Sequence, residues 1–153
     1  GTATAAGCQL VASCDLAYAS NLAKFATPGV NIGLFCSTPM VAVSRSLGRK
    51  KTMEMLLTGE SMNAKDAVSF GLINKNVPLN ELEITVLNFA KLIASKPTST
   101  VRIGKEAFYK QAELPIEKAY KYTSEVMAQN MLKKDAKEGI EAFLEKREPK
   151  WEN

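Results

Sequence analysis

Histidine is absent from the 153 residues, and that absence excludes whole classes of chemistry. No Ser-His-Asp or Cys-His nucleophilic unit, no histidine-containing metal site and no imidazole proton shuttle can be assembled from this chain. Acid–base work near neutral pH is left to carboxylates, lysine, tyrosine or cysteine. Cysteine is also scarce. Cys8, Cys14 and Cys36 are odd in number and lack paired two-residue spacing, so neither a disulfide framework nor a zinc site is expected, and a reducing compartment suits them. Long apolar runs are missing too. Residues 25–44 carry no charge, but Pro28, Gly29, Gly33 and Pro39 interrupt them. The stretch therefore reads as a buried core segment and no membrane span is expected.

What is present is ordinary for a globular chain: 46% apolar and 24% charged residues, with 20 basic against 16 acidic side chains for a net charge of +4. The excess suits an anionic small ligand and does not imply nucleic acid, because bases and acids interleave. The one cluster, Arg49-Lys50-Lys51, reads as a solvated helix start rather than a phosphate patch. The opening Gly1-Thr2-Ala3-Thr4-Ala5-Ala6-Gly7 lacks a methionine or a basic leader, so the chain is expected to be a piece of something longer.

Along the chain, residues 1–7 read as a strand end and turn, and residues 7–14 as a short helix whose small side chains permit close packing. Residues 15–19 and 23–26 are short strand candidates separated by the turn-prone Ser20-Asn21. Thr38 is placed to cap a helix with Pro39 at its first position, ended by Gly48. A further helix over 51–57 is stopped by Gly59. Asn63 with Asp66 three residues on, and Gly71 after Phe70, bound a complete short helix. Residues 72–77 are a strand candidate. Asn80 with Glu83 opens a helix whose apolar stripe is Leu82, Val86, Phe89, Ala90 and Ile93, running to Pro97. Thereafter all reads helical: 99–112, 115–132, and a helix capped by Asp135 and ended by Pro149. The chain thus divides into a mixed part, 1–97, and a helical tail, 98–153. The tail is long enough to pack across a partner or to fold back on its own chain.

The order and spacing of Gly7-Cys8-Gln9-Leu10, Cys14-Asp15-Leu16-Ala17-Tyr18-Ala19, Phe25-Ala26-Thr27-Pro28, Gly33, Met53-Glu54-Met55-Leu56-Leu57-Thr58-Gly59-Glu60, Asp66-Ala67 and Gly71-Leu72 resemble the crotonase (enoyl-CoA hydratase/isomerase) family. The likeness continues at Glu138-Gly139 and Ala142-Phe143-Leu144-Glu145-Lys146-Arg147. It implies an α/β (mixed α+β) fold, the C-terminal half of a crotonase-like ββα spiral followed by the helical tail. It also implies trimers or hexamers of the full-length protein through that tail, and mitochondrial placement.

The resemblance implies a coenzyme A thioester ligand, and no other cofactor, with its carbonyl held between two backbone N–H groups that stabilise an enolate oxygen. One of those amides falls on Ala6, where alanine stands for the usual glycine. The other is expected from the missing first half. Hydratases of the family use two glutamates, and the matching positions here are Gln9 and Gly29. Glutamine orients water or a carbonyl but does not take a proton near neutral pH, and glycine offers no side chain. Nor does an Asp or Glu lie between Asp15 and Glu54 to supply an isomerase's single carboxylate. The loop Leu34-Phe35-Cys36-Ser37-Thr38-Pro39-Met40 departs from the family pattern, and Cys36, with no base to lower its pKa, reads as an inert buried thiol. Phe143 and Lys146 fall where the family's final helix contributes an aromatic and a lysine near the nucleotide end of coenzyme A. Their i, i+3 spacing would face both toward one ligand. Three readings stay open: a crotonase-type enzyme doing enolate chemistry other than hydration, a non-catalytic acyl-CoA binder or regulator, and an inactive truncated fragment.

Overall fold

The computed structural model describes residues 1–152, in two compact units, Gly1–Leu87 and the residues from Asn88 onward. In the first unit β1 (Thr2–Thr4) pairs in parallel with β3 (Lys24–Ala26), Ala3 opposite Phe25, and β4 (Met62–Asn63) joins β3 antiparallel. A second sheet pairs β2 (Tyr18–Ser20) with β5 (Lys75–Val77) in parallel. The strands are short because small residues and turns flank them. Four helices add buried residues to those of the strands and loops: α1 (Ala6–Ser13), α2 (Pro39–Ser46), α3 (Arg49–Thr58) and α4 (Ala64–Phe70).

Small side chains decide how close those helices come. Fully buried Cys8 on α1 and Val43 on α2 share one core with Phe25, Leu47, Met55 and Met62. Ser46 Oγ donates to the Ala12 carbonyl at 3.2 Å, tying α2 to α1 at its polar edge. Helix α4 forms as its sequence predicts. Asn63 Oδ1 accepts from the Asp66 N–H at 2.8 Å while its amide donates to Asp66 Oδ2 at 2.9 Å, and Gly71 closes the helix with φ 89°.

Other expectations are corrected. Helix α2 starts at Pro39 as expected, but Thr38 makes no side-chain cap. Gly48 does not end α2. Its backbone is extended, φ −61° and ψ 147°, and it begins α3 by accepting the Thr52 N–H at 3.0 Å. Only Lys75–Val77 of the 72–77 candidate is strand, since the Leu72 and Ile73 N–H groups are taken by the Ala67 carbonyl at the end of α4. The uncharged 25–44 stretch is only partly core. Phe25, Ala26, Thr27, Cys36, Pro39 and Val43 are buried, whereas Ile32, Leu34 and Phe35 project from a 3-10 turn (Pro28–Ile32) and the loop after it. Asn80 sits inside a second 3-10 turn, Leu79–Glu81, and does not cap α5 (Leu82–Ala94). No residue of α5 is buried, and Val86 and Ile93 of its apolar stripe are each 39% exposed.

In the second unit α6 (Thr98–Ala112), α7 (Ile116–Met131) and α8 (Lys134–Glu145) pack on one another through small buried residues, Ala107, Ala119 and Ala142. The cap of α8 is Lys133, not Asp135. Asp135 lies one position into the helix, buried, accepting from Ser99 Oγ at 2.6 Å and from the Glu152 N–H at 3.2 Å. Nor does Pro149 end α8. Lys146 does, in the left-handed conformation at φ 56°, after which the chain turns back along the helix. On that return Arg147 forks onto Glu138 at 2.6 and 3.0 Å, the Lys150 N–H reaches the same carboxylate at 2.7 Å, and Trp151 covers Gly139. No helix of the described residues is long and apolar enough to cross a membrane.

Candidate functional site

The sharpest backbone feature of the first unit is the single residue between β1 and α1. Ala5 adopts φ 47° and ψ −112°, a conformation rare for a residue with a side chain and worth about 1–3 kcal/mol of strain. Two hydrogen bonds hold it there. Its N–H donates to the Ala26 carbonyl at 2.9 Å, extending the β1–β3 pairing by one step, and its carbonyl accepts the Gln9 N–H at 3.0 Å to start α1. A strand therefore hands over to a helix with no intervening turn.

That hand-over exposes the positive end of α1. Ala6 and Gly7 are exposed, the first turn holds no acid, and Ala5 offers no side-chain cap. The Ala6 N–H, first in the helix, has no carbonyl four residues back within the helix to receive it. With the helix dipole behind it, this amide is suited to a developing oxyanion. Gln9 lies one turn on, half-buried. Between them Cys8 is fully buried, and burial pushes its thiol up to about 11, partly offset by a hydrogen bond with the Ala26 backbone and reinforced by Cys36. Cys8 is thus a neutral packing residue at physiological pH.

Gly29 is the second residue of the 3-10 turn that follows β3, three residues beyond Ala26. Its N–H donates to Cys36 Sγ at 3.3 Å and its carbonyl accepts the Leu34 N–H at 3.0 Å. A Cβ on Gly29 would meet the Leu34 carbonyl oxygen at 2.7 Å and Cys36 Sγ at 3.0 Å. The loop has closed over the position, so it lacks both a carboxylate and the room for one. Close by, Thr27 is wholly buried with its Oγ1 unpartnered.

Ala6 and Gln9 lie on α1 at the β1–α1 corner, and Gly29 lies in the turn after β3, whose Ala26 carbonyl accepts the Ala5 N–H. Phe143 and Lys146 belong to the second unit. Phe143 lies in α8, 81% exposed, and Lys146 is the exposed left-handed residue that ends the helix. Sequence reasoning missed the strain at Ala5 and the grip of Cys36 on Gly29. Two successive alanines after a strand carry no sign of a positive φ, and Cys36 draws notice only as an isolated thiol.

Comparison with known proteins identifies the class of fold that holds this strand-to-helix corner. Residues 1–153 match the family described as enoyl-CoA hydratase/isomerase, and the chain belongs to that family. Within it the chain is 54% identical over 151 residues to the rat (Rattus norvegicus) protein named enoyl-CoA hydratase domain-containing protein 3, mitochondrial, covering 99% of this chain and 50% of that protein. A crystal structure of an enoyl-CoA hydratase from Mycobacterium smegmatis superposes with a TM-score of 0.97 at 51% identity, over 100% of this chain and 60% of that one. The crystal structure of human enoyl coenzyme A hydratase domain-containing protein 3 gives 0.95 at 52% identity, over 99% and 60%. The chain spans about half the length of the curated relatives it matches.

Proposed function

We propose that this chain supplies one side of an acyl-CoA thioester site in which the Ala6 N–H stabilises an enolate oxygen, and that the site does not hydrate enoyl-CoA. The observation that carries the reading is the Ala5–Ala6 corner, where a strained residue is held by two backbone hydrogen bonds and presents a helix-start amide. Polarising a thioester carbonyl acidifies the carbon beside it. Adding water across the neighbouring double bond needs in addition a base for the water and an acid for that carbon. Gln9 can do neither, and the packed Gly29 loop leaves no space for a substitute. The second oxyanion donor comes from the remainder of the fold. Phe143 and Lys146 are proposed to contact the nucleotide end of coenzyme A, and the full-length protein to form trimers or hexamers. Mitochondrial placement follows the names of the relatives.

The test uses full-length protein containing this chain. Crotonyl-CoA is expected to remain unhydrated, while butyryl-CoA incubated in deuterium oxide gains deuterium at its α-carbon, its α-proton passing to a base supplied by the remainder of the fold, read by mass spectrometry. Robust hydration that Gln9→Ala abolishes would overturn the reading. The closed Gly29 loop also favours a second reading, a non-catalytic acyl-CoA binder or regulator. Saturable binding of butyryl-CoA with no deuterium gained would establish it.

A further inference from the structure

Arg49-Lys50-Lys51 take no part in the acyl-CoA reading. In the structure they form the first turn of α3, the positive end of its dipole, in a turn with no acidic residue. Three cations at that end are the arrangement a helix dipole disfavours. Lys51 is occupied elsewhere, its Nζ 2.9 Å from Glu54 Oε1 and 5.0 Å over the Phe70 ring. Arg49 pairs with no carboxylate among the described residues, and neither does Arg45 in the last turn of α2. Arg45 Nη1 donates to the Val41 carbonyl at 3.1 Å, which sets its guanidinium along α2.

Both arginines line a cavity of about 390 Å³ between α2 and α3. Thr52 lines it too, only 4% exposed, and its Oγ1 has no hydrogen-bond partner. The ordinary outlet for a helical threonine is the carbonyl one turn back, as Thr58 uses that of Glu54 at 2.8 Å. Thr52 does not take it. Buried hydroxyls are nearly always satisfied, so an orphan beside two unpaired guanidinium groups marks a place for an acceptor carrying negative charge. The rest of the wall includes Met40, Met53 and Leu56.

We propose that this cavity binds a carboxylate carried on a short apolar chain. The planar guanidinium groups of Arg45 and Arg49 grip the carboxylate, Thr52 Oγ1 donates to it, and the methionine and leucine side chains cover the chain. A strongly hydrated phosphate finds there the hydroxyls of Thr52 and Ser44, the latter already donating to the Val41 carbonyl at 3.3 Å, and a thioether-rich wall, which is why the carboxylate amphiphile is the better occupant. The site shares no residue with the Ala5–Ala6 corner and stands or falls independently of it.

Calorimetric titration of the full-length protein with sodium octanoate tests the proposal. Saturable one-to-one binding is expected, weakened about tenfold by Arg45→Gln or Arg49→Gln, the loss of one charge-assisted contact. Thr52→Val is expected to weaken binding about threefold to tenfold without lowering the thermal midpoint, because it removes an unpaired hydroxyl and keeps the shape. This variant keeps the test decisive if an arginine variant fails to fold. Octanol binding as well as octanoate, inorganic phosphate displacing octanoate at equal concentration, or octanoate binding unchanged in R49Q and T52V would each overturn it.

Discussion

The backbone N–H of Gly29 points at Cys36 Sγ, 3.3 Å away, and this contact draws the loop so close that the missing Cβ of Gly29 would lie 2.7 Å from the Leu34 carbonyl oxygen. The position proposed to match a hydratase glutamate is therefore closed by backbone as well as lacking a side chain. Gly29→Glu is expected to destabilise the fold and to leave hydration absent, and Gly29→Ala to cost about 1–3 kcal/mol through the same overlap. Cys36→Ala does not rescue either variant, because the nearest obstacle is a carbonyl. Denaturant midpoints measured on the three variants check this. An unchanged midpoint for Gly29→Ala would show that the loop yields freely.

Ala5 holds φ 47° and ψ −112° against its own Cβ. Glycine there removes that strain, and its greater freedom in the unfolded chain offsets part of the gain. Ala5→Gly should therefore raise stability by about 1 kcal/mol, the net of those two effects. Ala5→Val should lower it, because a β-branched side chain suits a positive φ least. Thermal unfolding of the pair decides the matter, and a lower midpoint for the glycine variant would contradict the strain.

The three thiols differ in reach. Cys14 is exposed, whereas Cys8 and Cys36 are buried, and burial raises Cys8 to about 11 from 9.0. Iodoacetamide at pH 8 should modify Cys14 in the native protein and Cys8 only on unfolding. The raised value also fixes a sign. The unfolded thiol loses its proton from about pH 9 while the folded one holds it to about 11, so stability falls as pH rises across that window. Cys8→Ala should flatten the fall, and a wild-type stability profile that stays level across it would argue against the burial account.

Parts of this fold were legible because they are local. Asn63, Asp66 and Gly71 specify α4 within nine residues of chain, and Pro39 marks the start of α2 because its ring suits a first helical position. The parts that were not legible depend on contacts distant in sequence. Gly48 was expected as a stop because glycine favours left-handed ends, yet it is extended and starts a helix. Asp135 has the composition of a cap but is drawn inward by Ser99, 36 residues away. The stripe on α5 announces an apolar face without saying what covers it, and no residue of that helix is buried in the described structure. At the candidate site the Ala6 amide was legible only through the family likeness. The strain at Ala5 that presents it arises from Ala26, across the sheet.

Glu138 is the carboxylate that makes the most contacts with the return of the chain along α8, beside Asp135, which accepts the Glu152 N–H at 3.2 Å. Glu138 accepts both arms of the Arg147 guanidinium and the Lys150 N–H, and the Arg147 hydrogen bonds, ahead of the others, hold its carboxyl down to about 2 from 4.5. A depressed folded value contributes stability that is fully present above about pH 4.5 and is lost as pH falls toward about 2. The chain contains a single tryptophan, and its ring lies where a Cβ on Gly139 would meet it at 3.3 Å. Trp151 emission therefore reports this strap directly. Between pH 4.5 and 2 the emission should shift red as Trp151 leaves Gly139, ahead of any loss of far-ultraviolet helical signal. Glu138→Gln should show the shifted emission already at pH 7, because a neutral amide cannot serve as the anionic partner of Arg147. Gly139→Ala should displace the ring with Glu138 intact, separating packing from charge. If Trp151 emission in Glu138→Gln matches the wild type at pH 7, the carboxylate does not hold the strap.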